Sequence, residues 1–555
     1  MIKSTWLNEI NLSNLRGDLF GGVTAAIVSL PLALAFGVAS GAGAEAGLYG
    51  AILVGLFAAL FGGTPTLISE PTGPMTVVMA AVLTTMIANN PENGIAMAFT
   101  VVMIAGAFQI LLGLLNLGKY ITLMPYSVIS GFMSGIGVIL IILQLPPLLG
   151  HPNQEGGVLG NLLALPVLFN QANWFEVGLG IITLAILFFF PKKWATRVPP
   201  QLIALIVGSL LALLLLNDSD IRTIGAVSLG FPEIIFPTLS ADLITTMVVD
   251  GIVLGTLGCI DALLTAVIAD SLTRKEHNSN KELIGQGIGN MVSGFCGGLP
   301  GAGATMGTVV NIQAGARTAI SGITRALVLL ILVVFAAGLT AYIPLAVLAA
   351  IAIKVGLNIL DWSFLKRAHH VSISASLIMY GVMLLTVFVD LIVAVGIGVF
   401  IANILTIEKL SHLQSQNVQS ISDTDDQIPL RRKERALLDR SQGKVMLLYF
   451  SGPMIFGVSR AIAREQENMA SYEKVVFDLT DVPLIDATIS LAIENAVNEA
   501  LDQGKKVWIA CNDPKTKEKF SRMKITAKVG ADHIVESRFD ALNKAVNIDE
   551  ATIIA

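Results

Sequence analysis

Charge is scarce in this chain of 555 residues: Asp, Glu, Lys and Arg make up 14% of it, where soluble domains run near a quarter. Its balance is close to even, 35 basic against 40 acidic residues, and no basic stripe marks a nucleic-acid partner. Cysteine is rarer still. Cys259, Cys296 and Cys511 lie far apart and without ligand spacing, which excludes a disulfide framework and a zinc site. No nucleophile–base pairing, metal cluster or phosphate-cradling glycine loop is present, so an enzyme is not expected and no cofactor is called for. The opening MIKSTWLNEINLSNLRGD is polar and lacks the pattern of a signal peptide, so nothing there is expected to be cleaved.

What the chain has is apolar length. Hydrophobic residues make up 54% of it, with a mean hydropathy of +0.74. Between Leu19 and Ile407, apolar runs of about 17–25 residues recur, the length that crosses a ~30 Å hydrocarbon core. About fourteen crossings are expected, starting near residues 18, 46, 66, 95, 122, 176, 200, 245, 280, 303, 318, 344, 371 and 389. Basic residues follow the even-numbered ones: Lys119; Lys192, Lys193 and Arg197; Arg274, Lys275 and Lys281; Arg317; Lys366 and Arg367. Acids follow the odd-numbered ones: Glu45, Glu92, Glu155, Asp218, Asp220, Glu233 and Asp390, with Arg222 against them. The positive-inside rule then places both termini in the cytoplasm, in a multi-pass protein of the plasma (inner) membrane. Its partners are therefore the lipid bilayer and a transported solute.

The third and tenth crossings do not read as ordinary helices. In GGTPTLISEPTGPMTVVMAAVL, Pro65, Pro71, Gly73 and Pro74 interrupt any helix before Met75; in GGLPGAGATMGTVVNIQAG, five Gly and Pro residues precede Thr305. Each reads as an extended segment followed by a half-helix. Thr72-Gly73-Pro74-Met75-Thr76-Val77 lies over Ala304-Thr305-Met306-Gly307-Thr308-Val309, seven crossings apart. An odd number of crossings per repeat inverts the second half against the first. Matched broken segments in inverted halves point to a transporter's binding site; the bland alternative is glycine and proline serving close packing and kinks.

A half-helix starting inside the membrane offers unpaired N–H groups and the positive end of its dipole. Two such ends, near Thr72 and Thr305, would hold an anion without a basic side chain. In the eighth crossing Asp261 lies deep in an apolar run, with Thr265 one turn later on the same face. An ionisable group at that depth marks an ion path by default, and a carboxylate, a hydroxyl and exposed carbonyls suit a small hard cation. The other reading of Asp261 is a neutral or helix-paired carboxyl. Asp250 and Asp270 read as interfacial. Glu70, just before Pro71, has three open roles: outer ligand to an ion, proton carrier, or acceptor for local backbone donors. Arg325 and Lys354 face the interior or snorkel, Asn311 and Gln313 read as interhelical donors, and His369-His370 as solvated loop residues.

These residues resemble the SulP (sulfate permease) anion-transporter family, in LRGDLFGGVTAAIVSLPLALAFG, PYSVISGFMSGIG, VVNIQAGARTAISG and IPLAVLAAIAIKVG. ISEPTGPMTVVM, GCIDALLTAVIADSLTRKEHNSNKELIGQG and PGAGATMGTVVNIQ resemble more closely its cyanobacterial sodium-dependent bicarbonate members. The resemblance implies a polytopic all-α membrane fold, a seven-plus-seven inverted repeat whose core moves against a gate in an elevator-like manner. It also implies a sodium site at Asp261, Thr265, Gly303 and Thr305, and a bicarbonate site at Thr72, Ala304 and Thr305. One departure is informative. Many sulfate- and oxalate-type members carry a Ser-Arg pair where this chain has Met306 and Gly307, so no fixed cation is expected in the anion pocket. One monovalent anion moving with one cation fits that charge placement. The alternative is a proton-coupled transporter of sulfate or a dicarboxylate, in which Asp261 or Glu70 titrates. A third reading, a non-transporting receptor, is disfavoured because broken backbone at membrane depth is tolerated only in protein or along a cavity.

The membrane domain is expected over residues 1–407, a linker over 408–440 and a soluble α/β domain over 441–555. KVMLLYFSG, KVVFDLTDV and KVWIAC read as strands, MIFGVSRAIAREQENM and ATISLAIENAVNEALDQG as helices. The tail resembles the family's STAS domain. Where anti-anti-sigma relatives have a phosphorylated serine after the aspartate, Asp486 is followed by Ala487, and Thr488 is a weak substitute. The domain is expected to support a homodimer or bind a cytoplasmic regulator.

Overall fold

The computed structural model describes residues 7–8, 12–121, 125–191, 199–215, 220–225, 232–389, 391–415, 418–421, 430–455 and 458–553. Lys192, Lys193, Arg197, Asp218 and Asp390 lie outside the described residues, as do positions 456–457 of the MIFGVSR segment and most of the polar N-terminus. The chain divides into two compact units, Met1–Phe400 and Ile401–Ala555.

The first unit runs α1 (Leu15–Ala39), α2 (Ala44–Phe61), β1 (Ser69–Glu70), α3 (Gly73–Asn89), α4 (Gly94–Leu114), the short α5 (Gly118–Ile121) and α6 (Tyr126–Leu148). It continues with α7 (Gly157–Asn170), α8 (Trp174–Phe189), α9 (Pro200–Leu215), α10 (Ile244–Thr273), α11 (Ser279–Phe295), β2 (Ala302–Gly303) and α12 (Thr305–Gln313). Then come α13 (Ile320–Thr340), α14 (Leu345–Ile359), α15 (Trp362–Val371), α16 (Ile373–Phe388) and α17 (Leu391–Ser415), which runs past the boundary between the units. Among the described residues seven helices are long and apolar enough to cross a membrane, and four more are apolar but shorter. With α7–α8 as one bent span, and with α11 and the β2–α12 segment included, the helices match the expected crossings one for one.

Two details were not read from the sequence. The segment before Phe189 is two helices meeting at 114°; Asn173 caps the second, accepting from the Phe175 and Glu176 amides. The basic loop holding Lys366, Arg367, His369 and His370 is itself a helix, α15, capped by Asp361, which also accepts from Tyr126 and Ser130 on α6. Both histidines are exposed, as expected.

The helices pack in two groups. One joins α1, α2 and α4 to α10, α11 and α13; the other joins α6 to α14 and α16, and α8 to α9 and α14. Within lipid such packing rests on close contact of small residues more than on exclusion of water. Gly106 of α4 and Gly287 of α11 are the clearest case. A Cβ on either would lie 2.5 Å from the other's carbonyl oxygen, so only glycine lets these backbones meet.

In the second unit, β3 (Val418–Ile421), β4 (Val445–Ser451), β5 (Lys474–Asp481), β6 (Lys506–Ala510) and β7 (Ile534–Val535) form one sheet in sequence order. The β3–β4 pair is antiparallel and the rest are parallel. The flanking helices include α18 (Arg432–Arg440), α19 (Ser459–Met469), α20 (Ala487–Asp502), α21 (Pro514–Arg522), α22 (Ile525–Val529) and α23 (Arg538–Ile553). Apolar cores cover both faces of the sheet, as expected for parallel strands. Within the stretch 408–440 expected as a linker, β3 pairs with the sheet and α18 packs on α23. Arg538 pairs with Asp478 and Asp481 of the central strand β5 and lies over the Tyr449 ring. Burial pushes the Asp478 carboxyl upward, opposed by the Arg538 charge. Asp486 caps α20 through the Ile489 amide, and Thr488 is exposed.

Candidate functional site

Proline and glycine build the site by stopping two helices early. After a turn at Pro65–Thr66, chain segments 67–72 and 299–304 stay extended, and their strands meet antiparallel, Ser69 opposite Gly303 and Glu70 opposite Ala302. The Ala304 amide donates to the Ile68 carbonyl at 2.8 Å, and the Thr308 hydroxyl accepts from the Ile68 amide at 3.0 Å. From this crossing α3 and α12 depart with Thr72 and Ala304 as their N-caps, the two positions superposed by the internal repeat. The first backbone bonds of these helices run from Thr76 to Thr72 and from Thr308 to Ala304. The earlier amides, at Gly73 and Met75 and at Thr305, Met306 and Gly307, thus precede the helical ladder, as any first turn must. Pro74, in the first turn of α3, has no N–H to leave unpaired.

Beside the crossing lies a cavity of about 520 Å³. Its walls include Glu70–Pro74, Asp261 and Gly303–Met306, with Leu32 and Phe36 of α1 nearby. The far wall belongs to the other helix group: Met133 of α6 and Val355, Asn358 and Ile359 of α14. Thr265 stands just behind, fully buried; its hydroxyl donates to the Gly303 carbonyl at 2.8 Å and lies 2.9 Å from the Thr305 hydroxyl. All the residues expected from the sequence, Thr72, Asp261, Thr265, Gly303, Ala304 and Thr305, are therefore brought together. Glu70 joins them on the cavity wall.

Two polar atoms there are conspicuous. Asp261 Oδ2 and Thr72 Oγ1 are both buried and have no hydrogen-bond partner among the described residues, although the two side chains approach each other. Buried polar groups are nearly always satisfied, and an orphan calls for an explanation. A carboxylate oxygen left bare beside two hydroxyls and a carbonyl can take a small cation. A bare hydroxyl at a helix N-terminus can take an anion.

A second set of residues holds the crossing in place, and it was not read from the sequence. On α11, Glu282, Gln286, Asn290 and Ser293 recur at helical spacing on one face. Glu282 accepts from the Thr64 amide (2.8 Å) and Gln286 donates to Ser69 Oγ (2.6 Å). Asn290 bonds both the amide and the carbonyl of Gly301, and Ser293 donates to the Leu299 carbonyl. Gln109 of α4 completes the seam by accepting from Asn290. The polar face E-x3-Q-x3-N-x2-S on an otherwise spanning segment was the available signal. Asn311 of α12 works likewise, donating to the Thr66 carbonyl and Ser321, whereas Gln313 is exposed. Asn290→Ala would strand the Gly301 amide and carbonyl, at about 1–3 kcal/mol for each buried group left unpaired. A thermal melt of the purified full chain should show that loss as a lowered Tm; an unchanged Tm would mean that the strands are held otherwise.

Comparison with known proteins agrees with this architecture. Residues 15–382 match the model of the sulfate permease family and residues 437–541 that of the STAS domain. The bicarbonate transporter BicA of a Picosynechococcus species is 59% identical over 97% of this chain and 96% of its own. A structure described as the transmembrane domain of a cyanobacterium bicarbonate transporter BicA covers 70% of this chain and all of its own, at 61% identity and a TM-score of 0.68. The murine solute carrier 26 family member A9 anion transporter, in an inward-facing state, covers 97% of this chain and 92% of its own. Its TM-score is 0.81 at only 18% identity, so it speaks for the fold alone. With its two broken half-helices, its anion-transporter architecture and its C-terminal STAS domain, the chain belongs to the sulfate permease family.

Proposed function

We propose that this protein carries bicarbonate across the plasma membrane together with sodium, the α1–α4 and α10–α13 group sliding in an elevator-like manner against α6, α8, α9, α14 and α16. The observation that carries the reading is the pair of unpartnered atoms, Asp261 Oδ2 and Thr72 Oγ1, facing one cavity between two helix N-termini. The naming of the 59% identical relative as a bicarbonate transporter supports the choice of anion.

Asp261, the Thr265 and Thr305 hydroxyls and the Gly303 carbonyl supply hard oxygen donors for sodium. The anion docks against Thr72, Ala304 and Thr305, where each N-terminus carries about half a positive charge. Order follows from charge. While Asp261 is bare it repels an anion; once sodium neutralises it, the two dipole ends together match one negative charge. The loaded group is then near neutral, and neutrality is what lowers the cost of passing charge through a low-dielectric layer. The basic residues that follow the even-numbered crossings support cytoplasmic termini. The STAS domain is the natural seat of homodimer contact or of a cytoplasmic regulator.

Labelled bicarbonate uptake into a transport-deficient bacterial host, at fixed pH with and without a sodium gradient, tests the reading. Uptake should require sodium. Uptake indifferent to sodium would transfer the argument to proton coupling.

A further inference from the structure

Arg325 of α13 is fully buried and turned inward. Its Nε donates to Ser29 Oγ (2.9 Å), its Nη1 to the carbonyls of Ala51 (2.9 Å) and Ser69 (3.0 Å), and its Nη2 to Glu70 Oε2 (2.5 Å). Gly55 makes room for it, since a Cβ there would lie 2.3 Å from Nη1. The guanidinium stays charged, so it ties α1, α2 and β1 together and places one permanent positive charge directly behind the crossing. Glu70 stands between that charge and the cavity. Glu70 is one of the residues that line the cavity, and its Oε1 lies near Gly307 in the first turn of α12, where a Cβ would sit 3.4 Å away. The sequence therefore lacks a fixed cation at Met306 and Gly307, yet the structure holds one nearby, cancelled by its own carboxylate.

We infer that the Glu70–Arg325 pair sets the charge class of the transported anion, Glu70 masking Arg325 so that the pocket accepts a single negative charge. The inference rests on the proposed anion pocket. With sodium on Asp261 and with Glu70 paired to Arg325, the charge left for the anion is that of the two helix N-termini, about +1 in sum. A monovalent anion balances it, and a divalent one leaves an excess charge in a low-dielectric site. Removing the mask adds a full positive charge. At an effective dielectric of about 20, one unit charge acting on another is worth at least tenfold in affinity out to about 12 Å, and the second charge of a dianion gains by that factor over a monoanion.

The probe is sulfate, tested as an inhibitor of sodium-driven bicarbonate uptake and as a stabiliser in thermal melts of the purified full chain. In Glu70→Gln the sulfate concentration for half inhibition, or for half of the Tm shift, should fall at least about tenfold. The charge-neutral double variant Glu70→Gln/Arg325→Met should return to within about threefold of the wild type. Arg325→Met alone, which leaves Glu70 bare, should raise KM for bicarbonate about tenfold or more with a smaller change in the maximal rate. A Glu70→Gln protein with wild-type sulfate sensitivity in the melt, or a double variant that stays sulfate-sensitive, overturns the inference. A wild-type protein without sodium-driven bicarbonate uptake would sink the symport reading instead, and the sulfate melts would still decide the charge question.

Discussion

Asp261→Ala should reduce bicarbonate uptake by up to about a hundredfold and remove its dependence on sodium in the same step. Coupling between two ligands of one site is typically worth 1–3 kcal/mol, or 5- to 150-fold, and here the coupling runs through one carboxylate. Asp261 Oδ2 makes no well-formed hydrogen bond within the described protein, so alanine removes little beyond the approach to Thr72 and the fold should survive. Asp261→Asn sharpens the test. The amide keeps the shape but neither attracts the cation nor repels the anion, so weak residual uptake that ignores sodium is expected. Full sodium-driven transport in the alanine variant, measured against its amount in the membrane, would place the cation site elsewhere.

Thr305→Phe should abolish uptake while leaving membrane insertion intact. Thr305 is the first residue of α12, lines the cavity, and its hydroxyl meets that of Thr265 at 2.9 Å. A phenyl group there covers the first-turn amides on which the anion would dock. Two hydrogen bonds to a charged partner are worth about 1.5–3 kcal/mol each, which together amount to a hundredfold or more in affinity. Thr305→Ser keeps the hydroxyl and should transport within about threefold of the wild type. Saturable uptake with an unchanged KM in the phenylalanine variant would show that the anion does not pass this helix end.

The crossings and the site were legible for different reasons. Spanning helices announce themselves because bilayer thickness fixes their length, and the broken pair because only Gly and Pro interrupt apolar runs so abruptly. Asp261 was legible because a lone acid in hydrocarbon is costly. Arg325 was not: its partner Glu70 lies 255 positions away, and no local pattern distinguishes a buried arginine from one that snorkels. The ladder on α11 was hidden in plain spacing, since polar residues at intervals of three and four mark a face without saying what it faces. Helix α7 escaped because its 14 residues fall short of a spanning run and the polar stretch Asn170-Gln171-Ala172-Asn173 parts it from α8, and composition does not reveal a 114° bend. In the soluble unit β3 was missed because its four residues, VQSI, carry too little alternation to separate an edge strand from a linker.

The central claim is that sodium and bicarbonate move together. The most direct measurement is radioactive sodium flux into vesicles reconstituted with the full chain, driven only by a bicarbonate gradient at equal pH and clamped membrane potential. Sodium should accumulate along the bicarbonate gradient, and Asp261→Ala vesicles should show none of it. Bicarbonate movement with no accompanying sodium, following an imposed pH difference instead, would contradict it.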